Sequence, residues 1–500
     1  MDRSPRFISD KELRQQEIDV IEQQEIIRIS EVGEYSSANY PERKREFPEE
    51  ERNIIKERLR IYAGEAKKLH EEAERGSTSC IYRVLPRLKE INGNRPYEPN
   101  MVCIGPYYYH KRHEEKFHMA EDCKRKCIGS LLVKTTDEEE QIDTYMSWLQ
   151  RISELEEEIR KCYSEEFEVA GTEFIEMMVV DACFIIEIIE MFGYGREVNF
   201  GESLAALGWM VPYFHRDFLL LENQIPFFVL VEICKLTRNN IPAGHHRSYV
   251  IYPALQFFMN GMKRFDSDIF DFILKSAKTM DHSPPLHLLD LVRRCLIRPV
   301  ATRMGELESS VKTPFIHCIS KLRQAGIKVS PGKGLSCFLE VEFKKGVIEM
   351  PNIAIDDLMR CLLLNCVAFE QCDQRISSKY FTAYTTFLDC LVNTEEDVEY
   401  LREHNVIDNY LSDDTELAGF INCAGKDLVL NGDHGFYLGK LFENVNNHYR
   451  NRWKWKLASF EREYFDKPWL LLSAAGGILL ILATSFQAVM AFLTYKYKKC

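Results

Sequence analysis

The sequence has no excess of positive charge and none of the common catalytic motifs. Its 500 residues carry a formal net charge of −13 at pH 7, which argues against a protein that wraps nucleic acid, because such proteins usually present a basic face. It contains no phosphate-binding loop, no complete dinucleotide-binding turn, no Gly-x-Ser-x-Gly elbow and no His-Glu-x-x-His helix. We therefore predict no cofactor and no nucleic-acid partner, although a triad assembled from distant residues would leave no such signal.

The chain also lacks an apolar amino-terminal segment and a regular cysteine pattern. The first residues, MDRSPRFISDKELRQQEIDV, contain no apolar run of the kind found in secretory signals. The 16 cysteines are irregularly spaced, and most lie in apolar runs, where free cysteine packs as a small hydrophobic residue. We expect the bulk of the chain to fold in a reducing cytosol without a disulfide framework.

Composition divides the chain into several predicted parts. Residues 1–79 are rich in charge and poor in apolar residues, so we expect an extension that is partly disordered or helical. Apolar blocks begin at residue 80, where we predict a mainly α globular domain with a small β-hairpin element. The predicted parts are the extension 1–79, the helical domain 80–447, a basic and aromatic juxtamembrane segment 448–468, a transmembrane helix 469–493 and a short basic tail 494–500.

Hydrophobic patterns predict the main elements of that domain. TEFIEMMVVDACFIIEIIEMFGYG and RDFLLLENQIPFFVLVEICKL are apolar nearly all round, so each is predicted to be a buried helix. Pro226 within the second segment fits the first turn of a new helix. EEEQIDTYMSWLQRISELEEEIRKCY is predicted to be one amphipathic helix that packs on the core, with a partner-binding coiled coil as the alternative. A period of two on both sides of Lys344-Lys345-Gly346 predicts the hairpin. The hydroxyl of Thr394 is predicted to cap a helix that starts at Glu395.

The carboxy-terminal segment is unlike the rest of the chain. From Trp469 to Leu493 it has no charged residue. About 25 residues at about 1.5 Å each span about 37 Å, which exceeds the hydrocarbon core of about 30 Å. A buried helix of the globular core is the alternative, but Trp469 before the run and lysines after it are typical of a membrane span. The residues of the predicted span that we single out are Trp469, Leu470, Gly476, Gly477, Gln487 and Leu493.

The surroundings of this segment bear on its orientation and partners. Basic residues are more numerous before the predicted span than after it, so the positive-inside bias places the large amino-terminal part in the cytosol. They would also bind an anionic leaflet at about 1 kcal/mol per cation, with an ordinary solvated helix face as the alternative. Ser473 and Gly477 lie four residues apart, which would let two spans dimerise, although small residues are common in such helices. The basic residues are Arg450, Arg452, Lys454, Lys456, Lys496, Lys498 and Lys499.

The densest group of potential metal ligands lies in YYYHKRHEEKFHMAEDCKRKCIG. It contains His110, His113, His118, Cys123 and Cys127, which a helix could bring together around a zinc ion. The spacing matches no structural zinc module, and basic residues crowd the segment. We therefore interpret it as a surface helix with incidental histidines and cysteines, and predict no metal site.

Three carboxylates interrupt otherwise apolar stretches, namely Asp181, Asp217 and Glu222. Burying a carboxylate is costly unless it is hydrogen-bonded or paired, so each must have a partner or a shifted pKa. One interpretation is a general acid–base pair. The other is that they fix turns and helix ends, with Glu222 and Asn223 accepting hydrogen bonds from the free amides of the helix that follows them.

Six ordered blocks resemble a known plant family. The blocks are CIYRVLPRLKEINGNRPYEPNMVCIGPYYYH, VVDACFIIEII, DFLLLENQIPFFVL, AFEQC, FLDCLVNTEEDVEYLREHNVI and NVNNHYRNRWKWK. They are similar to the family catalogued as domain of unknown function 247, from about residue 80 to the end of the chain. The resemblance implies a plant protein that is mostly helical and held by a carboxy-terminal transmembrane helix.

The resemblance implies little about chemistry. No catalytic residue is established for the family, and some members are associated with pollen–stigma self-incompatibility in grasses, which implies recognition or signalling. The family usually has two histidines after Gly-Pro-Tyr, where this chain has Tyr108 and Tyr109, so a shared histidine role does not carry over. The acidic-then-lysine order is kept at Glu121 and Lys124, but the tryptophan that often follows is missing.

The sequence as a whole predicts a membrane-tethered, cytosol-facing plant protein that acts through protein–protein recognition or signalling. Its expected partners are a lipid bilayer and one or more unidentified proteins. The alternative is a membrane-anchored, hydrolase-like enzyme that uses Asp181, Asp217 and Glu222. The sequence does not distinguish the plasma membrane from an endomembrane.

Overall fold

The computed structural model describes residues 47–76, 79–133, 137–194, 206–262, 284–304, 315–332, 337–430, 436–451, 453, 455 and 468–498. The chain divides into two compact units, Met1–Glu71 and Glu72–Cys500. In the first unit the described residues form a helix from Glu49 onward. The second unit contains all the other described helices and strands. The predicted domain limits at residues 79, 447, 468 and 493 stay predictions.

The described part of the chain is mainly α, as predicted. The helices are α1 (Glu49–Gly76), α2 (Pro86–Asn92), α3 (Glu115–Leu132), α4 (Glu138–Ser153), α5 (Glu156–Lys161), α6 (Gly171–Tyr194), α7 (Val211–Asp217), α8 (Phe227–Thr237), α9 (His246–Gly261), α10 (Leu288–Met304), α11 (Ile319–Gln324), α12 (Asp357–Cys372), α13 (Tyr380–Leu391), α14 (Glu395–Glu403), α15 (Asp414–Ala424), α16 (Gly439–Tyr449) and α17 (Pro468–Lys498). Short 3-10 helices lie at Tyr109–His113 and Ala206–Met210.

Helix α6 lies at the centre of the amino-terminal half of the second unit. Residues 181–190 are all buried, and α3, α4, α8 and α9 pack around the helix. At Gly193 a Cβ atom would lie 2.4 Å from the carbonyl oxygen of Pro253, so glycine permits the close approach of α6 and α9. A helix that is apolar nearly all round is stable only when other elements cover it, and the prediction of a buried helix here is confirmed.

Two small sheets complete the unit. The first contains β1 (Lys328–Pro331), β2 (Glu342–Lys344) and β3 (Val347–Met350), in the order β1-β3-β2. Strands β2 and β3 are antiparallel and form the predicted hairpin. Its two turn residues, Lys345 and Gly346, have φ angles of 52° and 87°, which suit a tight hairpin turn. The second sheet pairs β4 (Ile353–Ile355) in parallel with β5 (Ile407–Asn409).

One predicted helix start is confirmed, and one predicted helix extent is wrong. Thr394 and Asp397 form a reciprocal capping box at the start of α14, as the sequence predicted for Thr394. By contrast, the single amphipathic helix predicted over residues 138–163 is wrong in extent. The amide of Leu155 bonds the carbonyl of Ile152 three residues back, which ends α4 before α5 begins.

The second predicted all-apolar helix is also only partly correct. Helix α7 ends at Asp217 and α8 begins at Phe227, so residues 218–226 form a non-helical segment that is buried throughout. Side chains replace the missing helical hydrogen bonds. Gln224 donates to the carbonyls of Phe218 and Leu220 at 2.7 and 2.8 Å, and the amide of Leu221 donates to Asn365 at 2.9 Å. Because these groups satisfy the backbone, a buried loop is stable here.

Candidate functional site

A row of buried polar side chains holds an extended segment of the second unit. The side chains are Asp181 on α6, Asp217 at the end of α7, and Glu222 and Asn223 in the buried loop. We call these four residues the polar clamp. These side chains bind residues 84–105, a segment that is mostly non-helical outside α2.

Asp217 and Asn223 bind the middle of this segment. The carboxylate of Asp217 accepts hydrogen bonds from the backbone amides of residues 100–102, at 2.7 to 3.1 Å. Asn223 accepts from the amide of Ile104 at 2.7 Å and donates to the carbonyl of Val102 at 3.0 Å. Arg216 neutralises Asp217 at 2.8 Å, yet burial raises the pKa of Asp217 above its ordinary value.

Asp181 lies in a buried cluster of four charges. Its carboxylate accepts two hydrogen bonds from Arg112, at 3.0 and 2.5 Å, and contacts the ammonium of Lys124 at 2.8 Å. It also accepts from the amide of Gly105 at 2.8 Å. Lys124 bonds Glu121 at 2.6 Å, so two cations face two anions. Burial would raise the pKa of Asp181, but Arg112 and Lys124 outweigh burial and lower it.

Glu222 binds the start of the same segment. It accepts from the amide of Val84 at 2.8 Å and from the hydroxyl of Tyr108 at 2.7 Å. Lys89 and Arg83 contact it at 2.6 and 3.2 Å. Burial would raise the pKa of Glu222, but the bonds from Lys89 and Tyr108 outweigh it and lower the pKa.

These contacts bear directly on the two interpretations of the carboxylates. Asp181, Asp217 and Glu222 bind different parts of the chain, and each contacts at least one cation. Two of them have lowered pKa values, whereas a general acid or base works best with a pKa near the working pH. The arrangement therefore supports positioning of the chain rather than proton transfer. The predicted bonds from Glu222 and Asn223 to the following helix are wrong, since their acceptors bind residues 84 and 104 instead.

The potential metal ligands His110, His113, His118, Cys123 and Cys127 occupy the 3-10 helix and α3. His118 is exposed, and its ring nitrogen lies 3.0 Å from the carbonyl oxygen of His113. Cys123 and Cys127 are buried, and burial raises the pKa of both thiols. Among the residues that the structure describes, no group of three or more His, Cys, Asp or Glu side chains could hold a metal ion. The five residues from His110 to Cys127 therefore form no such group.

A cleft of about 770 Å³ opens between α7, the end of α9 and the start of α12. Tyr213 and Tyr410 on its walls are 40% and 53% exposed. Arg95 and Arg360 also line it, and Arg360 bonds Glu416 at 2.9 Å. We call it the arginine cleft. Sequence reasoning missed it, because its walls come from residues between 95 and 410.

The predicted span lies in helix α17, which contains Trp469, Leu470, Gly476, Gly477, Gln487 and Leu493. Its part Ala475–Thr494 is long and apolar enough to cross a membrane, and none of it is buried against the protein. Of the predicted basic residues, Arg450 follows α16, and Lys496 and Lys498 belong to α17. The others, Arg452, Lys454, Lys456 and Lys499, lie outside the described residues.

Comparison with known proteins gives the following matches. The family model DUF247, described as a plant protein of unknown function, matches residues 81–483. A UPF0481 protein of Arabidopsis thaliana is 30% identical over 438 residues, which are 83% of this chain and 87% of the relative. A putative UPF0481 protein of the same plant is 22% identical over 496 residues, 82% of this chain and 89% of the relative. No solved structure matches.

Proposed function

This chain belongs to the DUF247 family of plant proteins of unknown function, and from this premise we propose that it is a membrane-anchored recognition protein. One observation carries the membrane anchor, namely that none of the apolar part of α17 is buried against the rest of the described protein. An uncharged helix of this length is costly to expose to water, whereas a hydrocarbon core of about 30 Å solvates it.

The orientation that we propose places the bulk of the chain in the cytosol. The segment that precedes α17 carries Arg450, Arg452, Lys454 and Lys456, whereas the tail carries Lys496, Lys498 and Lys499. Basic residues that flank a span stay preferentially on the cytosolic side. The same residues would bind anionic headgroups of that leaflet.

The recognition surface that we propose is the arginine cleft. Tyr, Trp and Arg are the residue types that contribute most at protein interfaces; Tyr and Arg line the cleft, and Trp209 lies next to it. Trp209, which is 55% exposed, packs edge-on against Tyr213 with ring centroids 6.3 Å apart. Arg95, which also lines the cleft, is exposed. We propose that a partner protein inserts an apolar side chain beside Tyr213 and an acidic group beside Arg95.

Alkaline extraction tests the anchor. The full-length chain, expressed in plant cells, is expected to stay in the membrane pellet after an alkaline wash, and a chain that ends at Lys467 is expected to leave it. Protease added to sealed vesicles whose cytosolic face is outward should remove an amino-terminal tag. Release of the full-length chain by the wash, or protection of the tag, would overturn the corresponding part of the proposal.

Affinity capture with matched variants tests the cleft. The double variant Tyr213→Ala/Arg95→Glu is expected to lose proteins that full-length wild type captures from native plant membranes, and purified candidates should bind wild type alone. The control is Phe315→Ala, which removes another aromatic residue that is 55% exposed but lies outside the cleft. Equal capture by the cleft variant and the control would refute this role.

A homodimer through the span is a further part of the proposal. Ser473 is exposed, and a Cβ added at Gly476 or Gly477 would meet no atom within 4 Å. A small-residue face of this kind lets two helices approach closely. Gly477→Leu is expected to abolish cross-linking between differently tagged copies in membranes, whereas Leu479→Ala on the same helix should leave it intact. Unchanged cross-linking of Gly477→Leu would argue against the dimer.

A further inference from the structure

Cys80 and Cys162 occupy neighbouring positions on two paired backbone segments. The amides of Cys80 and Ile81 both donate to the carbonyl of Cys162, at 2.8 Å each, and Ile81 pairs with Tyr163 in a parallel bridge. Paired strands lie about 4.8 Å apart, and residues at the same register position point to the same side. Disulfides join residues whose Cα atoms lie about 4.4–6.8 Å apart. The backbone therefore already places the two cysteines within bonding range.

The two thiols differ in exposure and in acidity. Cys162 is partly exposed, whereas Cys80 is buried. The neighbouring Cys80 thiol lowers the pKa of Cys162, and the neighbouring Cys162 raises that of Cys80. The Cys162 sulfur also lies 3.4 Å from the carbonyl oxygen of Glu158. Burial and the charge of Glu158 act in the raising direction on Cys162, but the Cys80 thiol outweighs them, and Arg375, which donates to the carbonyl of Ser79 at 2.5 Å, also acts in the lowering direction. An accessible sulfur that favours the thiolate is the more reactive kind.

No other described cysteine has these properties. Wherever the pKa of another described cysteine departs from its ordinary value, it is raised, with burial as the largest cause outside this pair. Buried thiols of that kind are inert. Cys162 is thus distinct among the cysteines of the described chain in combining access, a thiol neighbour and a nearby cation.

We propose that Cys80 and Cys162 form a redox modification site, which a hydroperoxide converts into a reversible disulfide. The site is independent of the membrane anchor and of the arginine cleft. In a reducing cytosol both cysteines would be reduced thiols at rest, and the disulfide would form only during oxidation.

The chemistry balances in two steps. The Cys162 thiolate attacks one peroxide oxygen, the O–O bond breaks, and the leaving oxygen takes a proton from solvent, which yields water or an alcohol and a sulfenic acid on Cys162. The Cys80 sulfur then attacks the Cys162 sulfur, the S–O bond breaks, and the departing hydroxide leaves as water with the proton of Cys80. The two thiols supply the two electrons that reduce the peroxide. A cellular thiol reverses the reaction by disulfide exchange.

The disulfide would tie the start of the helical unit to the end of α5. It closes a covalent loop that contains α2, α3, α4, α5 and the whole segment held by the polar clamp. Cross-links stabilise mainly by restricting the unfolded chain, and long loops give the larger effect. Oxidation is therefore expected to raise the unfolding temperature of the protein by several degrees.

Thiol mapping on the full-length chain in detergent tests the proposal. After a small molar excess of hydrogen peroxide, remaining thiols are blocked with N-ethylmaleimide, and the unreduced digest is examined by mass spectrometry. We expect two of the 16 thiols to be lost, a cross-linked peptide that joins Cys80 to Cys162, and full recovery with dithiothreitol. A wild-type digest without that peptide, or with cysteines cross-linked at random, would overturn the proposal even if no variant could be purified.

Variants separate the roles of the two sulfurs. Cys80→Ser is expected to give a sulfenic acid at Cys162, trapped by dimedone, but no cross-link and no rise in unfolding temperature. Cys162→Ser should leave Cys80 unmodified. The control is Cys423→Ser, which removes another partly exposed cysteine and should leave the cross-link unchanged. If peroxide and dimedone label Cys162 of the Cys80→Ser variant no faster than Cys423 of the same variant, the proposal is wrong.

Discussion

Replacing Asp181 by Asn tests whether the polar clamp holds the amino-terminal half of the second unit together. Asp181 is fully buried, as is Lys124, and Arg112 is nearly so. The substitution keeps the size of the side chain but removes its negative charge. Arg112 and Lys124 would then face only Glu121, whose side chain is 17% exposed. One positive charge would remain buried without compensation.

The expected cost follows from that uncompensated charge. Removing one partner of a buried ion pair destabilises a protein by about 3–5 kcal/mol, which is a large share of a typical folding free energy of about 5–15 kcal/mol. The measurement is denaturant unfolding of the full-length chain in detergent, followed by tryptophan fluorescence. The midpoint should fall while the slope stays unchanged, because the native surface is the same.

The pH dependence gives a second, independent readout. The pKa of Asp181 in the folded protein is lowered. The ionised carboxylate therefore makes its full contribution to the free energy of unfolding above the unfolded pKa of about 3.9, and this contribution is lost as the pH falls through the pKa of the folded protein. The difference between wild type and Asp181→Asn should therefore be constant near neutral pH and shrink only below about pH 4.

A matched control changes the same type of charge on the surface. Glu157 bonds Lys161 at 2.6 Å, and their side chains are 85% and 58% exposed. Glu157→Gln should give no measurable change, since exposed ion pairs contribute little. If Asp181→Asn cost less than about 1 kcal/mol, the value of one ordinary hydrogen bond, the charge cluster would not be holding the fold, and our account of the clamp would be refuted.

Three further predictions concern a glycine, a histidine and the span. Gly105 has a φ of 70°, and a Cβ there would lie 2.5 Å from the carbonyl oxygen of Gln224; Gly105→Ala should cost more than about 1–2 kcal/mol in the same unfolding assay, while Gly129→Ala, which meets no neighbour, should be neutral or stabilising. Burial lowers the pKa of His287 to about 4, so as the pH falls the unfolded chain binds a proton at this histidine before the folded protein does. The free energy of unfolding should therefore fall by about 3 kcal/mol between pH 6.5 and 4. A His287→Gln variant with the same pH profile of stability would contradict this. Leu482→Lys puts a charge in the middle of α17 at a cost of about 2.5–3.5 kcal/mol for insertion, so the alkaline wash should release it, whereas Thr494→Lys at the end of the span should stay in the pellet.

Several elements could be predicted because their cause is local. The buried helix α6 follows from a run of apolar residues that is too long for a strand, and the cap at Thr394 from a hydroxyl followed by acidic residues. The hairpin depends on Gly346, which adopts a positive φ without strain. In each case, neighbouring residues contain the whole signal.

Other features could not be predicted because their cause lies far away in sequence. Residues 218–221 and 225 are as apolar as a buried helix, and the bonds from Gln224 and Asn365 help to make a loop stable there. Lys124 is fully buried, which is rare for lysine unless it is paired, and its partner Asp181 lies on another helix. The spacing of Glu121 and Lys124 in the sequence indicated only one of the two carboxylate partners of Lys124, since Glu121 and Lys124 bond each other at 2.6 Å.

The polar clamp also constrains the order in which the protein acquires its structure. The amide of Val84 is bonded by a residue 138 positions later, and that of Ile104 by one 119 positions later. During synthesis these amides stay bonded to water until residues 217–224 have left the ribosome. Contacts between such distant positions form slowly, so the apolar blocks of the amino-terminal half stay uncovered during that interval, when an incomplete chain is prone to aggregate.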